Sequence, residues 1–111
     1  MATTNSNTDR RAGLPAAVVE DLLADETRRV ALVILADRDE PMVVESLATA
    51  VRAAVDDTPA DAVTAAGRDA TREKLFTDHI PKLTATGVVR YDSMLGTVEL
   101  VRPDIVEEQA P

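Results

Sequence analysis

The hydrophobic pattern changes period at Gly87, and that change constrains the fold more than any other feature. Before it, Leu75, Phe76, Ile80 and Leu83 recur at helical spacing, which predicts one amphipathic helix from Asp69 to Thr86. Gly87 stands where a left-handed C-terminal cap is wanted. After it come two β-branched runs, Val88–Asp92 and Thr97–Val101, joined by Ser93-Met94-Leu95-Gly96. That pattern predicts a hairpin with a four-residue loop. Pro81 lies inside the helix and has no N–H for the carbonyl of Thr77, so a kink is expected over 77–81.

Upstream, the periodicity is helical throughout. Leu14, Val18 and Leu22, then Val30, Val33 and Ile34, predict helices at about 15–23 and 26–37, or the two merged into one. Pro15 suits a first turn, and Asp25 or Thr27 can cap the second helix. Asp37-Arg38-Asp39-Glu40-Pro41 is a solvated turn, and Met42-Val43 suits a short extended piece. Val44, Leu47, Ala48, Val51 and Val55 mark a further helix over 44–55, and residues 56–67 read as a long connection with one weak helical turn. The expected class is mostly α with a C-terminal β-hairpin. Its order of helix, helix, short strand, helix, helix and hairpin is the winged helix-turn-helix layout. Residues 1–13 are polar and aperiodic and read as a disordered tail, 14–102 as the domain, and 103–111 as an acidic tail.

Composition narrows the function classes. With no cysteine there is no disulfide framework, thiolate metal site or cysteine chemistry. The chain has only two aromatic residues, Phe76 and Tyr91, so Leu, Val, Ile and Ala must fill its core. No membrane-spanning apolar run is present, and Glu20-Asp21 cuts short the apolar stretch after Arg10-Arg11, so a cytoplasmic location is expected. The net charge is −8, with twelve Asp among twenty acids and ten Arg among twelve cations. Such a surface repels itself in dilute buffer. At molar salt, where the Debye length is about 3 Å, the repulsion fades. The texture therefore suits a salt-rich cytosol. No catalytic motif surrounds Ser6, Ser46 or Ser93, and the four glycines form no phosphate loop. Neither an enzyme nor a cofactor is expected.

Charge is unevenly distributed. Residues 1–67 carry six Arg against twelve acids, whereas 68–102 carry six cations against five acids. The predicted long helix and hairpin are thus the segment relieved of acidity, as phosphate contact requires. On a helical wheel, Thr71, Lys74 and Thr77 fall opposite the apolar face, with Arg72 toward its edge. Together with Lys82 and Arg90 they form the candidate DNA-binding set. His79, the only histidine, lies at the border of the apolar face without metal-ligating neighbours. Its expected role is a ring packed at the core edge with one hydrogen bond. Arg28-Arg29, beside Asp25 and Glu26, reads as an ion-pair cluster or as phosphate anchors. Leu14, Val18 and Val19, with Ile105-Val106, offer a homodimer seam. Met94 and Leu95, at a tip without cations, suit a protein partner or packing against the helices, and an interaction module that never meets DNA is the alternative reading.

The stretch from His79 to Val89 resembles the end of the recognition helix in ArsR-type winged-helix repressors, written H-L-x-x-L-x-x-x-G-L-V. More closely, Arg28-Arg29 and the segment His79 to Asp92 (H-I-P-K-L-x-x-x-G-V-V-x-Y-D) resemble a family of small haloarchaeal winged-helix proteins of unassigned role. In that family the Arg pair stands near the end of a first helix. The likeness covers about residues 16–101 and implies the winged-helix fold, with DNA binding in transcription by analogy.

Overall fold

A computed structural model describes residues 14–107; the expected N-terminal tail, 1–13, lies outside them. Helix α1 spans Ala16–Ala24 and α2 spans Glu26–Asp37. Asp25 separates them, because its extended backbone (ψ 127°) cannot continue a helix while its carboxylate accepts the Arg28 N–H at 3.0 Å. Strand β1, Met42–Val43, leads directly into α3, Val44–Asp56. A single 3₁₀ turn at Ala60–Ala62 interrupts the connection that follows. Helix α4, Ala65–Lys74, then begins with the Thr64 hydroxyl accepting the Gly67 N–H at 2.9 Å. It starts four residues earlier than the apolar period announces, since its first turn carries only small and polar residues.

The long helix is one rod in three parts: α4, a π-helical turn at Leu75–His79, and α5, Ile80–Ala85. The Ile80 N–H reaches back to the carbonyl of Leu75, one residue farther than in an α-helix. Pro81 supplies the cause. Its ring needs room at the preceding turn and it donates nothing, so the ladder widens just before it. The rod ends in a Schellman arrangement: Val88 N–H bonds to Leu83 O at 2.9 Å and Gly87 N–H to Thr84 O at 3.1 Å, with Gly87 at φ +76°.

Strands β2, Val89–Asp92, and β3, Thr97–Leu100, form the expected hairpin. Met42 and Val43 pair antiparallel with Val98 and Thr97, so β1 makes the hairpin a three-stranded sheet of order β1-β3-β2. A short helix α6, Asp104–Glu107, follows.

One core joins these layers. Leu22, Leu32, Leu35, Leu47, Val51, Leu75, Val88 and Val98 are all essentially inaccessible. Ile105 of α6 joins them, so the core reaches past Arg102. Four expectations need correction here. Phe76 is 40% exposed and meets Tyr91 edge-on at 5.8 Å, outside the core, because the π turn rotates it away from the Leu75 side. Thr71 is buried rather than outward-facing, lining with Thr27, Val51 and Val55 a cleft of about 290 Å³ between α3 and the rod. Val19 and Ile105, assigned to a dimer seam, lie in the chain's own core. Arg28-Arg29 opens α2 rather than closing a first helix.

Candidate functional site

Four of the residues that carry the sequence resemblance, Arg28, Arg29, His79 and Lys82, meet at one place, the corner between α1 and α2. Arg28, only 7% exposed, donates from Nε to Leu22 O at 2.6 Å and from Nη2 to Asp21 O at 2.8 Å. These carbonyls belong to the end of α1, where no intrahelical donor follows, and a cation there is favoured by the helix dipole as well. Arg29 does the same from the surface, donating to Leu23 O at 3.1 Å. The Arg pair is therefore a double cap that lets the chain turn sharply at Asp25.

The rod is pinned to that corner. His79 is buried, with Nδ1 3.4 Å from Arg28 Nη1 and Nε2 3.7 Å from Asp25 Oδ1. Arg28 is always a donor, so Nδ1 accepts and the proton of the neutral ring sits on Nε2, facing Asp25. Burial holds the His79 pKa below its ordinary value; Asp25 pulls it up and Arg28 pushes it down. The Arg28 N–H bond holds the Asp25 carboxyl below the usual carboxylate range. One turn along, Lys82 reaches Asp21 at 2.7 Å, and that hydrogen bond lowers the Asp21 pKa. The expected packed, hydrogen-bonded histidine is found. Its partners, Arg28 from fifty-one residues away and Asp25, carry no local signal in the sequence.

Along the exposed flank of the rod and hairpin, each remaining candidate cation faces a carboxylate. Lys74 Nζ lies 3.3 Å from Asp78, Arg72 Nη2 4.0 Å from Asp69, and Arg90 Nη1 3.1 Å from Glu99 across the strands. Thr77 is exposed and its hydroxyl donates back to Glu73 O at 2.9 Å. Arg72, Lys74, Thr77 and Arg90 are thus reachable from solvent. Lys82 is exposed as well, with its ammonium on Asp21 at the corner, and Thr71 is withdrawn into the cleft. Leu14 and Val18 are half-buried against the core, and Met94 and Leu95 stand free at 92% and 71% exposure. Among the described residues no cluster of three or more His, Cys, Asp or Glu side chains is arranged to hold a metal ion. No described helix is long and apolar enough to cross a membrane.

Residues 20–99 match the family described as a domain of unknown function, DUF7344. The chain belongs to this family. The matched span runs from the α1–α2 corner to the end of the hairpin, so the DUF7344 domain comprises the corner, the rod pinned to it and the sheet. No curated protein and no solved structure matches the chain.

Proposed function

We propose that this DUF7344 chain is a winged helix-turn-helix domain that binds double-stranded DNA as a transcriptional regulator in a salt-rich cytoplasm. The element order supports the reading: α3 and the rod form the helix pair, and β2–β3 form the wing. The observation that carries it is the solvent-exposed flank of the rod. Arg72, Lys74, Thr77 and Lys82 lie along accessible surface, the cations in exposed ion pairs, and Arg90 projects from the adjacent wing. Their carboxylate partners are no obstacle in principle. Exposed ion pairs contribute about 0–1 kcal/mol and are screened by salt, so a phosphate can displace a carboxylate at little cost.

The test is fluorescence anisotropy with duplex fragments from the host genome across a KCl series. Replacing Lys74 and Arg90 by Glu together should abolish binding while the circular-dichroism melt stays unchanged. Single replacements should each lower the slope of log affinity against log salt by about 0.9. No binding by the unsubstituted chain would remove the DNA reading, and binding that survives the double reversal would remove its assignment to this flank. A two-fold symmetric target requires a dimer, whose seam is left with Leu14 and Val18 on α1. Sedimentation in molar KCl should then show a dimer that Val18→Asp dissociates.

A further inference from the structure

The wing tip is built to hold apolar side chains in water. Asp92 Oδ1 accepts the N–H groups of Met94 and Leu95 at 2.9 and 3.1 Å, and Gly96 N–H closes the turn on Asp92 O at 2.7 Å. Gly96 takes φ +68°, and its carbonyl accepts the Val44 N–H at 2.9 Å, which ties the tip to the first residue of α3. A turn fixed by these bonds cannot fold Met94 and Leu95 back over the helices. Val43, 49% exposed, lies beside them, since its cross-strand partner Thr97 directly follows the turn. Three of the most exposed large apolar residues among the described ones therefore share one end of the sheet.

The border of this patch is acidic. Asp92 flanks it on the hairpin. Glu45 flanks it at the start of α3, where Arg68 approaches to 3.5 Å. An apolar centre with a charged rim is the anatomy of a protein interface, and Asp92, Glu45 and Asp69 against the single Arg68 leave this rim net negative, which favours a cationic partner surface over phosphate. We propose that the wing tip is a protein-docking knob whose partner presents an apolar pocket rimmed by Lys or Arg. The tip shares the hairpin with Arg90 but contains none of the side chains assigned to DNA, so either reading can fail alone.

The probe is an amphipathic Leu/Lys peptide of about fifteen residues, with a Leu→Ser analogue of equal charge as control. Both are titrated in molar KCl into the isotopically labelled full chain and followed by amide chemical shifts. The leucine peptide should shift residues 43–45 and 92–97, and the serine analogue should not. Met94→Ser with Leu95→Ser should weaken the leucine peptide about tenfold or more. Equal response to both peptides, or shifts scattered over the acidic surface, would overturn the proposal. So would tip signals that respond instead to a DNA duplex, to phosphatidylglycerol vesicles or to the chain's own concentration. The mapping on the unsubstituted chain stands even if the double variant folds poorly.

Discussion

Replacing Arg28 by Ala tests whether the corner holds the domain together. The guanidinium is buried and makes two short charge-assisted hydrogen bonds to the carbonyls of Asp21 and Leu22, with His79 Nδ1 at 3.4 Å as a third contact. Bonds to a charged group contribute about 1.5–3 kcal/mol each, and removing the donor leaves acceptors that burial keeps from water. Allowing for overlap between the two bonds and some solvent entry, the loss should be about 3 kcal/mol. For a domain of this size that lowers the melting temperature by roughly 12–24 °C, at 4–8 °C per kcal/mol. Lys should rescue poorly, because one ammonium cannot reproduce the planar fork that serves two carbonyls at once. The assay is urea and thermal denaturation in molar KCl, with Arg29→Ala as the exposed counterpart, expected to cost less than about 1 kcal/mol. If Arg28→Ala cost no more than Arg29→Ala, the cap would be ornamental and the corner would owe its shape to Asp25 and packing alone.

Two further outcomes follow from the same geometry. His79 has a folded-state pKa below 6.5, so the unfolded chain takes up its proton first. Stability from the neutral ring is complete above pH 6.5 and declines as pH falls from there toward the folded value, by at most about 1.4 kcal/mol per pH unit; His79→Gln should flatten denaturation midpoints measured across that window. If the variant and the unsubstituted chain lost stability in parallel, the ring would not be the titrating group. Leu75→Ala should cost about 2–5 kcal/mol, whereas Phe76→Ala, on the exposed side of the π turn, should cost about 1 kcal/mol; reversal of that order in urea titrations would contradict the rotation of Phe76 out of the core.

The helices and hairpin were legible in the sequence because hydrophobic period, caps and turn residues are local signals. Asp25, Pro81 and Gly87 each act on the backbone within a few residues of themselves, and their effects came out close to where the sequence put them. The pairing of β1 with β3 was less legible. Two residues carry no period, and their partner lies some fifty-five positions away. Phe76 and Thr71 were misplaced for a single reason. A wheel drawn at 100° per residue assumes an unbroken α-helix, whereas the rod inserts a wide turn at 75–79 that shifts the phase of Ile80 and Leu83 against that of Thr71. The candidate surface was legible only in composition. The sequence shows that residues 68–102 are less acidic, but only coordinates reveal that Lys82 reaches Asp21 of α1 while Lys74 and Arg90 pair within the rod and the hairpin.

The segments most recognisable in this chain, the Arg pair and the His-x-Pro-Lys run, are the ones that build its interior corner. A histidine beside an arginine and an aspartate, with a lysine one turn away, has the ingredients of a catalytic or anion-binding cluster. Here each group is spent on another part of the same chain: Arg28 on helix-end carbonyls, His79 between Arg28 and Asp25, Lys82 on Asp21. A ligand entering that corner would have to break bonds that close α1 onto the rod. Such a motif therefore reports how the domain is assembled and carries little information about what it binds. Information of that second kind has to lie where side chains remain unspent. Two regions meet that condition: the flank of the rod and hairpin bearing Arg72, Lys74, Thr77 and Arg90 in exchangeable surface pairs, and the apolar hairpin tip at Met94 and Leu95. Both are bordered by carboxylates, but the first presents guanidinium and ammonium groups and the second only apolar side chains. A chain that kept both would bring a protein partner to DNA, and one that kept only the tip would act on proteins alone.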